Sequence, residues 1–93
     1  MPQTILIVDD EKRLVSLVQS YLMQEGYRVL TAYNGKDALP IAQKEKPDLI
    51  ILDIMMPEMN GYELVSLWRG NRSTASLPVI FVSAIYFDNV KFK

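Results

Sequence analysis

The chain has 93 residues, 49% hydrophobic and 23% charged, with a formal net charge of −1. That describes one ordinary globular domain, and its ten Lys and Arg are scattered rather than gathered in a stripe, so neither nucleic acid nor an anionic membrane is implied as a partner. Neither Cys nor His occurs, which excludes disulfides, thiolate chemistry, the usual zinc ligand sets and imidazole acid–base catalysis. Carboxylates and hydroxyls must carry any chemistry.

At the amino terminus a short apolar run meets Asp9 and Asp10 too soon for a signal-peptide core or a membrane span, and a cytoplasmic protein is expected. That run, TILIV at 4–8, is β-branched and does not alternate, the mark of a strand covered on both faces of a parallel sheet. After DDE, Leu14, Leu17, Val18, Tyr21 and Leu22 recur at helical spacing up to a stop at Gly26. RVLTA at 28–32 is a second strand, and Asn34-Gly35 turns into a second helix carrying Ala38, Leu39, Ile41 and Ala42. Pro40 interrupts that series at a cost of about 3 kcal/mol, so the helix should be short, bent, or begin close to the proline. DLIIL at 48–52 follows the Pro47 loop as strand three. Residues 61–69, with Tyr62, Leu64, Val65 and Trp68, form a third helix in which Trp68 is a packing residue. After the polar GNRSTAS, PVIFVS at 78–83 is strand four. Alternating strands and helices of this kind make a parallel α/β sheet with right-handed crossovers.

Three acidic residues fall at strand ends: Asp9 and Asp10 after strand one, Asp53 after strand three. In a doubly wound sheet of order 2-1-3-4 these strands are neighbours, and ligands bind in the crevice beyond their carboxyl ends. The three carboxylates then repel one another, and a cation must join them if all are to stay ionised. An all-oxygen site suits a hard, octahedral ion that keeps some of its waters, which points to Mg²⁺. Ser83 brings a hydroxyl to the same edge, and the combination suggests phosphoryl transfer to Asp53. Against this stands the commonest role of an Asp between strand and helix, the N-cap, with Glu11 serving the dipole in the first turn. One cap accounts for one aspartate. It does not account for a pair and a third on the adjacent strand. Met55, Met56 and Met59 read as side chains that fill gaps.

ILIVDDE, LIILDIMMPEMNGYEL and LPVIFVSA resemble, in order and spacing, the three signature blocks of the receiver domain of two-component response regulators, from residue 4 to about residue 84. The resemblance implies a flavodoxin-like, doubly wound α/β fold in a single domain over 1–93, and a signalling module rather than an enzyme. It implies that Asp53 accepts a phosphoryl group from a histidine kinase or phosphotransfer protein. It further implies Mg²⁺ held by Asp10, Asp53 and the Met55 backbone carbonyl, with Asp9 acting through water. Ser83 stands where the family has the hydroxyl residue that bonds the phosphoryl oxygen and moves on activation.

The family pattern goes on through a fourth helix, a fifth strand ending in lysine, and a fifth helix, for which IYFDNVKFK has no room. Lys91 and Lys93 lie only eight and ten residues past Ser83. FDNVK resembles the opening of helix four, with Asp88 as its cap. A carboxy-terminally incomplete domain is therefore expected, with strand four an open edge where a second copy can pair and with phosphorylation impaired. Two other readings compete with this one. An aspartate-nucleophile phosphohydrolase needs a second Asp two residues after the nucleophile, where this chain has Met55. A degenerate receiver, acting only by binding a partner, fits the absent lysine but not the intact Asp9, Asp10 and Asp53.

Overall fold

Thr4–Val8 form β1, and all five residues are buried, as a strand with both faces covered requires. The computed structural model describes residues 2–56 and 59–82. Along these follow α1 (Lys12–Gln24), β2 (Arg28–Ala32), α2 (Gly35–Glu45), β3 (Leu49–Asp53), α3 (Gly61–Arg69) and β4 (Val79–Val82). The four strands form one parallel sheet in the order β2-β1-β3-β4, with Val8 level with both Ala32 and Leu52. The expected topology is thus observed. Ser83, Asp88, Lys91 and the expectations for the carboxy-terminal segment lie outside the described residues.

Alternate side chains of the central strands enter two separate cores. Leu6, Val8, Ile50 and Leu52 pack with Ala38 and Ala42 of α2 and with Leu64 and Trp68 of α3. Ile5 and Ile7 turn the other way, toward Val15, Val18 and Leu22 of α1. On that side an apolar groove is lined by Ile7, Leu14, Val18, Ile51 and Val82. Among the described residues no helix is long and apolar enough to cross a membrane.

Two details differ from the sequence reading. The buried stripe of α1 runs through Val15, which the periodic series omitted, whereas Leu17 and Tyr21 are 69% and 63% exposed. An apolar residue on a small helix is no guarantee of burial, because the sheet covers only a narrow strip of it. Pro40 lies in the middle of α2 rather than near its start. It occupies the exposed side of the helix, as does Lys36, so water can satisfy the Lys36 carbonyl that loses its amide partner. In β4, Ile80 and Phe81 are exposed, and β4 pairs only with β3 among the described residues.

Trp68 is the largest fully buried side chain, in keeping with a packing role. The chain leaving α3 is tied back at this point. The buried Thr74 hydroxyl donates to the Trp68 carbonyl at 2.7 Å, and Arg69 donates to the Ala75 and Leu77 carbonyls at 2.8 Å each. Because the Trp68 carbonyl also accepts from the Asn71 N–H at 3.1 Å, Thr74→Val is expected to cost only about 1 kcal/mol, the net worth of one hydrogen bond. Urea unfolding measures this, and unchanged stability would contradict the role given to Thr74.

Candidate functional site

Register brings the acidic residues together. Val8 of β1 lies level with Leu52 of β3, so the next residues along the two strands, Asp9 and Asp53, share a face of the sheet at its carboxyl edge. The strand ends are extended past the ladder by two bonds, from Asp9 N–H to the Ala32 carbonyl at 3.1 Å and from Ile54 N–H to the Val82 carbonyl at 3.1 Å. Asp10 follows on the same edge, and one carboxylate oxygen from each of Asp9, Asp10 and Asp53 lies within 4.8 Å of the others. Asp9 and Asp53 are buried and Asp10 is exposed, which leaves the cluster open to solvent from one side.

Backbone donors hold two of these side chains. Asp9 Oδ1 accepts from the Glu11 N–H at 2.9 Å, and Asp53 Oδ1 accepts from the Met55 N–H at 3.1 Å. Neither aspartate after β1 caps α1. Glu11 is the N-cap, accepting weakly from the Arg13 N–H at 3.4 Å, and the first turn contains no acidic residue. Met56 is buried and fills space as expected, while the Met55 side chain is 57% exposed and fills none.

The electrostatics are unbalanced. Among the described residues no Lys or Arg pairs with the three carboxylates; the nearby Lys12 ammonium lies 5.3 Å from the centroid of the Tyr33 ring instead. Burial pushes the Asp9 carboxyl up to about 6, against the pull of the Glu11 N–H, and Asp53 and Asp10 add to the rise by repulsion. Burial likewise raises Asp53, with the Met55 N–H opposing and the Asp10 charge reinforcing. An all-oxygen set of carboxylates, of which burial and repulsion drive Asp9 and Asp53 toward protonation, is the donor chemistry a hard divalent cation satisfies.

The start of α3 packs against the same strand end. Asn60 caps α3, its side chain accepting from the Glu63 N–H at 2.9 Å, and the Gly61 N–H donates to the Ile54 carbonyl at 3.0 Å. Asn60-Gly61 belongs to the second block that carries the family resemblance, but the sequence assigns Gly61 no role of its own.

The raised carboxyls set the pH dependence of stability. For Asp9, folding moves the carboxyl from its ordinary value of 3.8 to about 6. The folded state therefore binds more protons across that window, and stability falls as pH rises through it. In metal-free buffer Asp9→Asn is expected to stabilise the chain by up to about 3 kcal/mol near pH 7.5, with the two unfolding free energies converging near pH 4. The Asn side-chain oxygen can still accept from Glu11. Urea unfolding in the presence of a chelator checks this, and a variant less stable than the native chain at both pH values would contradict it.

Comparison with known proteins agrees with this geometry. The family model described as "Response regulator receiver domain" matches residues 5–91. The alkaline phosphatase synthesis transcriptional regulatory protein PhoP of Bacillus subtilis is 42% identical over 97% of this chain, which spans only 38% of PhoP. Among solved structures, the N-terminal domain of a response regulator receiver protein from Methanoculleus marisnigri superimposes with a TM-score of 0.82 at 37% identity, over 85% of this chain and 64% of that one. The receiver domain of sensor histidine kinase PA1611 from Pseudomonas aeruginosa, solved with a magnesium ion coordinated in its active site cleft, superimposes with a TM-score of 0.86 at 25% identity, over 100% of this chain and 76% of that one. With the fold, the strand-end carboxylates and the family model in agreement, the chain belongs to the response regulator receiver domain family of two-component systems.

Proposed function

We propose that residues 1–93 act as one receiver domain that accepts a phosphoryl group on Asp53 from a histidine kinase or phosphotransfer protein, in a Mg²⁺-dependent reaction. The observation that carries this reading is the three-carboxylate cluster at register-matched strand ends with no cationic partner among the described residues. Its oxygens fit Mg²⁺, and in this reading Asp10, Asp53 and the Met55 backbone carbonyl would hold it, with Asp9 acting through water. When bound, the ion supplies the positive charge that three carboxylates and an incoming phosphoryl group lack.

The chain's own residues do the rest. Asp53 is the nucleophile. Its carboxylate oxygen forms a bond to phosphorus as the donor's phosphorus–nitrogen bond breaks, and the electron pair of that bond leaves with the donor nitrogen. The product is an acyl phosphate on Asp53. Water attacking phosphorus later releases inorganic phosphate and restores the carboxylate. Only the ionised carboxylate can attack, and burial works against ionisation of Asp53. Asp9, anchored by the Glu11 N–H, and the exposed Asp10 are assigned to the metal rather than to the phosphoryl group. Ser83, the next residue after β4, is assigned as the hydroxyl donor to a phosphoryl oxygen and as the switch residue. β4, which pairs only with β3 among the described residues, is where a second copy pairs in the same reading.

Incubation with phosphoramidate and Mg²⁺ should add one phosphoryl group, detected by intact-protein mass, and Asp53→Asn should remain unlabelled. Omitting Mg²⁺ should slow labelling by at least about tenfold. Label persisting in Asp53→Asn would overturn the assignment. A native chain that takes no label yet binds a histidine kinase would favour an interaction module that is never phosphorylated.

A further inference from the structure

Gly61 opens α3 with its Cα packed against the backbone of the strand that carries Asp53. A Cβ at this position would lie 2.9 Å from the Asp53 carbonyl oxygen, 3.0 Å from the Ile54 Cα and 3.3 Å from the Leu52 Cγ. Conformation does not call for glycine here, since Gly26 is the glycine recorded with positive φ. Close approach does. The two nearest atoms belong to the main chain and have no rotamer to move into. At Gly35, by contrast, the nearest atom to a new Cβ is the Met59 Sδ, part of a flexible side chain.

Ile54, next to Asp53, is held from both sides. Ile54 donates its N–H to the Val82 carbonyl of β4 at 3.1 Å and accepts from the Gly61 N–H at 3.0 Å. The Asp53–Ile54 backbone is thus held between β4 and the start of α3, and Asn60 fixes where α3 starts. A methyl group at 61 has to shift the Asp53 carbonyl by some tenths of an ångström, and the carboxylate on the same residue moves with it, relative to Asp9 and Asp10. We infer that Gly61 is a positioning residue for Asp53: its missing side chain lets α3 clamp the strand end, so that the nucleophilic carboxylate stays in line with the acidic cluster. This rests on the reading of Asp53 as the phosphoryl acceptor.

The test compares the native chain, Gly61→Ala and Thr74→Val. Thr74 lies beyond the carboxyl end of α3, at the opposite edge of the sheet, and serves as a control that loses stability without touching the site. All three are measured in trimethylamine N-oxide, which favours the folded state, and rates are expressed per folded molecule. Labelling forms the Asp53 oxygen–phosphorus bond as the phosphorus–nitrogen bond of phosphoramidate breaks, and ammonia leaves. At saturating phosphoramidate and Mg²⁺, Gly61→Ala should label at least about tenfold more slowly, as misplaced reacting groups do, and bind Mg²⁺ several-fold more weakly by calorimetry. Thr74→Val should match the native chain in both. If Gly61→Ala labels and binds Mg²⁺ like the native chain, or Thr74→Val is equally impaired, the positioning role is wrong. Should Gly61→Ala stay unfolded, the native chain decides by NMR: on Mg²⁺ addition the Gly61 amide signal should move together with those of Asp53 and Met55, and a stationary Gly61 signal contradicts the clamp. A native chain that neither labels nor binds Mg²⁺ would instead fail the functional reading itself, which separates the two failures.

Discussion

The pairing of β1 with β3, Val8 level with Leu52, is the constraint on which the rest depends. Both strands bury apolar side chains on each face, Leu6 and Ile50 toward α2 and α3, Ile5 and Ile7 toward α1. A slip of one residue would turn each of these toward the wrong layer, so packing on both sides fixes the register. The same register sets Asp9 beside Asp53 at the carboxyl edge, and the next residue along β1 completes the cluster. Two apolar cores thus determine where three negative charges meet. The cost of that meeting shows in the raised carboxyls of Asp9 and Asp53.

Much of this was legible in the chain itself. Unbroken apolar runs such as TILIV and LIIL admit few alternatives to covered parallel strands, and the strand-end aspartates follow from strand order alone. What escaped was geometry that residue type does not encode. Leu17 and Tyr21 belong to the apolar series of α1, but the width of the sheet, not the series, decides which residues it covers, and Val15 is the one fully buried. Pro40 signals a break by local rules, yet its exposed placement lets α2 run on through it. Glu11 caps α1 in place of the better-capping aspartates beside it, because the Asp9 carboxylate is already engaged with the Glu11 N–H. Gly61 stands in the block that carries the resemblance, but its reason is a contact with the backbone of a residue eight positions earlier, which residue type does not encode.

The site and the scaffold therefore pull in opposite directions. Under the proposed function the Asp53 carboxylate has to be ionised to attack phosphorus, while its burial favours the proton. Backbone donors from Glu11 and Met55 offset part of that conflict, and they offset it for the residues most deeply placed. Asp10, exposed at the mouth, needs no such donor. In the proposed function a divalent cation would resolve what remains, and only while bound, which would link the charge state of Asp53 to occupancy of the cluster.

That link is measured most directly by counting the protons released when Mg²⁺ is added. With Asp9 pushed up to about 6, calorimetric titrations near pH 6 in buffers of differing ionisation enthalpy should show a substantial fraction of a proton released per ion bound, falling toward zero near pH 8. Mg²⁺ binding with no proton release near pH 6, or no binding at either pH, would contradict the account of the cluster as a cation site held under strain by its own burial.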